Sequence, residues 1–140
     1  MIEQVRGTLD DLYSVYDRIR PYDKGQLDEW KLNRDNLHLA FGSEFYLAIK
    51  KDGVPEAIVG TLLRPRTVQV FFFGTEAVNR HKITMARIAK AFLQFVRQTW
   101  PEKRCVLFKF PSNEDVIPWL KWIGFYEIGR PGKLTILEWS

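Results

Sequence analysis

The sequence predicts a mixed α/β (α+β) domain in which about four helices flank a central sheet of about seven strands. Two observations carry this prediction: apolar residues recur at helical spacing in residues 9–19 and 78–99, and strand-like apolar runs separate and follow these segments. The order read along the chain is β-α-α-β-β-β-α-β-α-β-β. With 140 residues and no repeat, linker or low-complexity tract, a single domain spanning residues 1–140 is expected.

The first forty residues predict one strand and two helices. Residues 2–6 form the strand. Thr8 followed by Asp11 is typical of a helix N-cap with an acidic residue at the third helical position, and helical spacing then continues up to Pro21. A second helix is predicted over residues 26–41.

Three strands follow in succession. Residues 45–49 and 57–63 are predicted to form an antiparallel hairpin around the turn pair Asp52-Gly53. Residues 68–73 are too continuously apolar for a strand with one solvated face. They predict a central strand that is buried on both faces.

The C-terminal half alternates helix and strand. A long amphipathic helix over residues 78–99 is expected to pack on the sheet. A right-handed crossover would then set the strand of residues 104–110 parallel to the strand before the helix. Residues 113–123 predict a short helix that Gly124 caps. The chain closes with two strands and the turn between them: residues 125–128, the turn Arg130-Pro131-Gly132, and residues 134–139.

Composition argues against membrane-spanning and secreted classes. No apolar stretch approaches the ~20 residues that span a bilayer, and the N-terminus has no apolar signal core. We therefore expect a cytoplasmic protein without a membrane partner. The single cysteine, Cys105, lies in an apolar run and is expected to be a small core residue.

The net charge of +4 is modest, but basic residues cluster in one third of the chain. This cluster is either a solvated face or a seat for an anionic ligand. No recognition motif accompanies it, so a nucleic-acid partner is not expected. His38 and His81 stand apart, and no set of acidic or cysteine residues has metal-ligand spacing, so no metal site is predicted. The basic cluster comprises Arg64, Arg66, Arg80, His81, Lys82 and Arg87.

The element order and the stretch from Asn113 to Phe125 resemble the GNAT acetyltransferase superfamily. In its last motif an Asn is followed eleven positions later by Gly and then Phe, which here are Asn113, Gly124 and Phe125. The run around Trp119 and Trp122 is most similar to the GNAT-like proteins of tailed bacteriophages, including the family called internal virion protein A. That likeness extends upstream to Phe73-Gly74-Thr75, Arg80-His81 and Trp100-Pro101.

The resemblance implies where acetyl-CoA would bind. In the superfamily its pantetheine arm lies where the fourth and fifth strands splay apart, and its pyrophosphate rests on the start of the following helix. The family loop there contains glycines, whereas the stretch Asn79 to Met85 contains none, which puts the pyrophosphate seat in doubt. The residues that the resemblance assigns to the cofactor are Phe73, Thr75, Arg80, His81, Lys82, Thr84 and Asn113.

The acid and base groups of the family are weakly represented. Its frequent tyrosine, seven positions after the motif asparagine, is Leu120 here, and the fourth strand carries phenylalanines where a base is often found. The candidate catalytic carboxylates are Glu76, just beyond that strand, and Glu29 on the second helix.

Two functions remain open at this point. One is an acetyl-CoA-dependent N-acetyltransferase that moves an acetyl group to an amine acceptor. The other is a catalytically degenerate GNAT-fold protein that acts in phage virion assembly or on a host protein. The second would place the chain in the virion or the host cytoplasm. Fold alone does not separate the two.

Overall fold

The computed structural model describes residues 1–41, 46–109 and 116–140. Within these ranges the strands are β1 Ile2–Arg6, β2 Tyr46–Lys51, β3 Val54–Leu63, β4 Thr67–Gly74, β5 Arg104–Lys109, β6 Phe125–Gly129 and β7 Thr135–Trp139. The helices are α1 Leu9–Asp17, α2 Pro21–Glu29, α3 Leu37–Phe41, α4 Ala77–Arg80, α5 Lys82–Thr99 and α6 Ile117–Ile123.

The strands form one mixed sheet in the order β1-β2-β3-β4-β5-β7-β6. Strand β4 is central, β2 and β3 form the predicted hairpin, and β5 runs parallel to β4, while all other neighbours are antiparallel. The hairpin turns at Asp52 and Gly53, whose φ angles are +51° and +82°, as an Asp-Gly turn requires. The predicted class, strand order along the chain and crossover are therefore confirmed.

The sheet separates two apolar cores, and β4 contributes to both. Val68 and Val70 join the core that includes α5 and α6, whereas Phe71 and Phe73 join the core under α1, α2 and α3. Alternate side chains of one strand point to opposite faces, so burial on both faces requires an uninterrupted apolar run. Such burial explains why residues 68–73 of β4 are apolar except for the buried Gln69.

The predicted helix over residues 26–41 is wrong, because this segment contains the end of α2 and the separate helix α3. Pro21 begins α2, where its fixed φ and missing N–H are tolerated. After α2 the chain turns at Lys31, whose φ is +59°. The Asn33 side chain accepts hydrogen bonds from the backbone N–H groups of Asp35 and Asn36, which competes with helical bonding.

The predicted long helix of residues 78–99 is also interrupted. His81 has φ −127° and ψ 42°, so it ends the short helix α4 and precedes α5. Among the described residues, no helix is long and apolar enough to cross a membrane.

The local caps agree with the sequence. Thr8 and Asp11 form a reciprocal capping box at the start of α1. Gly124 ends α6 with φ +126°. Cys105 is free and buried in the core, as expected.

Candidate functional site

The candidate site is the opening between β4 and β5. Within the described part of the chain the two strands pair at their N-terminal ends only, through Thr67 with Arg104, Val68 with Cys105 and Gln69 with Val106. β4 continues to Gly74 and β5 to Lys109. Within these residues the strands therefore part towards their C-terminal ends, and the C-terminal part of this edge of β4 has no neighbouring strand.

The segment that begins α2 holds the far end of β4. Gly74 N–H donates to Asp23 Oδ2 at 2.9 Å, and the Gly74 carbonyl accepts from Arg20 N–H at 2.9 Å. Backbone groups of successive strand residues point to opposite edges, so Phe72 presents its N–H and carbonyl to the opening, as Gly74 does. By the same alternation, the backbone groups of Phe73 face β3.

The same helix also holds β5 across the opening. Gln26 Nε2 donates to the Phe108 carbonyl at 2.6 Å. Lys109, the last residue of β5, is only 4% exposed and lines a cavity of about 10 Å³ with Asp23 and Phe72. This volume has room for about one water molecule. The inner part of the opening is thus closely filled by side chains.

A buried charge cluster lies at this point. Arg20 Nε and Asp23 Oδ2 are 2.5 Å apart, and the two side chains are 5% and 1% exposed. Burial lowers the pKa of Lys109 to about 8; the Asp23 carboxylate raises it, and the Arg20 guanidinium lowers it further. One carboxylate therefore faces two basic groups in a desolvated site.

Arg20 also connects the cluster to α4, the short helix that precedes α5. Its Nη1 donates to Asn79 Oδ1 at 3.0 Å, and Tyr22 Oη donates to the same oxygen at 2.6 Å. The Arg20 guanidinium stacks over the Tyr22 ring at 4.6 Å. Beside these groups lies a second cavity of about 50 Å³, which Lys82 and Trp119 also line.

The start of α5 has no side-chain cap among the described residues. His81, at the N-cap position of the 18-residue helix, makes no side-chain hydrogen bond to the first N–H groups. Arg80 and Lys82 are exposed and have no acidic partner within residues 1–41, 46–109 and 116–140. His81 and Thr84 are half-buried. Four of the predicted cofactor residues therefore lie at the junction between α4 and α5.

Other predicted cofactor residues lie elsewhere. The Phe73 side chain is buried under α1 and α2. Thr75 is buried with its hydroxyl bonded to Glu56, and its N–H donates to the Glu56 carbonyl at 2.9 Å. Asn113 lies outside the described residues. Phe72, which the sequence reasoning passed over, faces the opening instead.

The two candidate carboxylates do not line the cavity in the opening. Glu29 is exposed at the C-terminal end of α2. Glu76 is exposed before α4 and accepts a hydrogen bond from Asn79 Nδ2 at 2.7 Å. Leu120, at the position of the family tyrosine, is a core residue.

Sequence reasoning missed Arg20, Asp23 and Lys109. The available signal was a lysine at the end of the apolar run that starts at Cys105, because lysine is almost never fully buried unless it is paired. Its charged neighbours, Arg20 and Asp23, are more than 80 positions away in the chain, so no local sequence pattern links them to Lys109. Among the described residues, no group of three or more His, Cys, Asp or Glu could hold a metal ion.

Searches for relatives by sequence found no matching family model and no matching curated protein. Similarity is found in solved structures. The GNAT domain of PAT from S. lividans is 16% identical, with a TM-score of 0.74, covering 99% of this chain and 89% of that one. The ribosomal-protein-S18-alanine N-acetyltransferase from Escherichia coli is 12% identical, with a TM-score of 0.73, covering 99% of this chain and 93% of that one.

A third structure contains a ligand. PaiA N-acetyltransferase from Thermoplasma acidophilum, in complex with coenzyme A, is 13% identical, with a TM-score of 0.72, covering 100% of this chain and 99% of that one. Identities this low establish the fold and not the activity. The seven-stranded mixed sheet and these neighbours agree, and the chain has the GNAT fold.

Proposed function

We propose that this chain binds acetyl-CoA at the parting of β4 and β5 and transfers its acetyl group to an amine. The observation that carries the proposal is the parting itself: within the described residues the parallel strands pair at their N-terminal ends only, and the C-terminal part of that edge of β4 has no neighbouring strand. The Phe72 backbone on that edge would hydrogen-bond the pantetheine arm.

The start of α5 supports the same proposal. A helix N-terminus favours an anion through its free N–H groups and its dipole. Arg80 and Lys82 place positive charge there, which is mildly unfavourable unless an anion binds. The loop lacks the family glycines, but the side chains of Arg80 and Lys82 are exposed, so their positive charges are accessible to a ligand. These groups would hold the pyrophosphate, and bound acetyl-CoA would supply the activated acetyl group.

The proposal is tested by titrating acetyl-CoA into the purified chain by calorimetry. We expect micromolar binding that Arg80→Glu weakens by tenfold or more, about 1.4 kcal/mol. Lys90→Glu is the matched control, because it reverses an exposed charge on α5 about 12 Å along the helix axis from Lys82, the first residue of that helix. Absence of binding at millimolar acetyl-CoA would overturn the proposal, and equal effects of both substitutions would place the pyrophosphate elsewhere.

A second candidate is a virion or host-interaction protein of a tailed phage that keeps the fold without the chemistry. Two observations favour it. Asp23 and Arg20 already bond the backbone groups of Gly74 at the end of β4, and Leu120 stands in place of the family tyrosine and cannot donate a proton. The same titration separates the candidates. If acetyl-CoA does not bind, cross-linking in an infected cell or a virion would identify the partner.

A further inference from the structure

Lys109 is a buried titratable group to which the proposed function so far gives no role. Its backbone is the last of β5, and the parallel register continued from the three observed pairs brings it level with Phe72. Phe72 is the residue whose backbone faces the opening. Lys109 therefore lines, with Phe72, the small cavity at the inner end of the opening, next to which the thioester of acetyl-CoA would lie.

The environment of Lys109 is suited to proton transfer. Within the described residues the charged groups that act on it are Asp23 and Arg20, both from the α2 side; β4 presents the apolar residues 70–73, and Thr135 is opposite on β7. Asp23 is already engaged by Arg20 Nε and Gly74 N–H. Burial, with a smaller contribution from the Arg20 guanidinium, outweighs the effect of Asp23 and lowers the pKa of Lys109 to about 8, close to the pH at which a proton-transfer group is most effective.

We propose that Lys109 is the catalytic proton donor of acetyl transfer, an inference that depends on the proposed function. The lone pair of the neutral amine forms the C–N bond to the thioester carbonyl carbon, the C–S bond breaks, and its electron pair goes to sulfur. Lys109, as the ammonium, gives a proton to that sulfur. The neutral Lys109 then takes the proton that the new amide nitrogen loses, so the side chain returns to its starting state.

This assignment gives Lys109 the role of acid for which the family often uses a tyrosine. Leu120 cannot donate a proton, and Glu29 and Glu76 do not line the cavity in the opening. Lys109 does line it. The alternative is a structural role, in which Lys109 only balances the charge of Asp23.

The test uses Lys109→Arg and Lys109→Met with hydroxylamine as the amine, because so small a nucleophile needs no acceptor site. Thiol release from acetyl-CoA is followed against pH, and acetyl-CoA affinity is measured by calorimetry. We expect both variants to bind within about threefold of the wild type. The kcat should fall about 100-fold or more in each, and the pH dependence near pH 8 should disappear.

Arginine keeps the charge beside Asp23 but cannot release a proton, so a structural role predicts that Lys109→Arg retains kcat. A second readout is the titration of ¹³C-labelled lysine side chains by NMR, in which Lys109 is the signal absent from Lys109→Arg. It should titrate below the other lysines. A signal that titrates with them, or a Lys109→Arg variant that retains kcat, would overturn the proton role alone. Wild-type binding without any acceleration of thiol release would also contradict the transferase activity of the proposed function. Failure of the wild type to bind acetyl-CoA would overturn the proposed function as well.

Discussion

At the scale of single residues, Asp23 controls the charge balance of the site. It is almost fully buried, and it accepts hydrogen bonds from Arg20 and from the backbone of Gly74. A buried carboxylate is stable only when such partners replace water. Asp23 therefore both binds the backbone at the end of β4 and raises the pKa of Lys109.

Asp23→Asn is expected to lower the free energy of unfolding by about 3 kcal/mol, because Arg20 loses its buried counter-charge. The same substitution should lower the pKa of Lys109 further, since the Asp23 carboxylate raises it. Urea unfolding measures the first effect. Asp28→Asn on the same helix removes an exposed partner of Lys24 and should leave stability unchanged. Equal stability of the two variants would contradict the structural importance of Asp23.

At the scale of elements, the junction from β4 to α4 depends on close approach at Gly74. A Cβ atom added there would lie 2.5 Å from Val78 Cγ2 and 2.9 Å from the Glu56 carbonyl oxygen. The second of these neighbours is backbone and cannot rotate away. Glycine thus permits α4 to fold back against β3 directly after the strand.

Gly74→Ala should cost about 1–3 kcal/mol of stability through this overpacking. Gly129→Ala at the end of β6 is the control, since its added Cβ would meet only Pro131 Cδ, at 3.9 Å. Thermal and urea unfolding of the two variants are the measurements. A Gly74→Ala protein as stable as Gly129→Ala would show that β4 and α4 can move apart at little cost.

At the scale of the whole molecule, two apolar cores lie on opposite faces of one sheet. The ionisable groups that folding buries make the free energy of unfolding depend on pH. Lys109 has a pKa of about 8 in the folded protein against 10.5 ordinarily. Between these values the unfolded chain binds more protons at this site, so stability rises with pH. Burial raises the pKa of Cys105 to about 12, which has the opposite effect above its ordinary value of 9.0.

The stability difference between wild type and Lys109→Met isolates the lysine, because Cys105 is common to both. As the pH rises from about 7.5 to 9, the wild type should gain relative to the variant by roughly 1 kcal/mol per pH unit at most. Below pH 7.5 the difference should be constant, since Lys109 is then protonated in both states. Urea unfolding at each pH provides the values, and a difference that does not change with pH would indicate that Lys109 titrates normally.

Local patterns by themselves determined much of the fold. The capping box of Thr8, the Asp52-Gly53 turn, the two-faced apolar run of β4 and the cap at Gly124 each use neighbouring residues, so a short window contains the whole cause. The order of these elements and the motif that ends in Gly124-Phe125 led to the GNAT fold, which the structure confirms.

The breaks in the helices and the composition of the site were decided only by tertiary structure. The predicted second helix failed because asparagine side chains near Asn33 bond the backbone, and the long helix bends at His81 without a glycine or proline to mark it. The charge cluster joins residues 20 and 23 to residue 109, and a contact between distant segments has no period in the sequence. Burial shifts the pKa of Lys109 only after the sheet and α2 have closed around it, and therefore its chemistry could not be deduced before the fold was known.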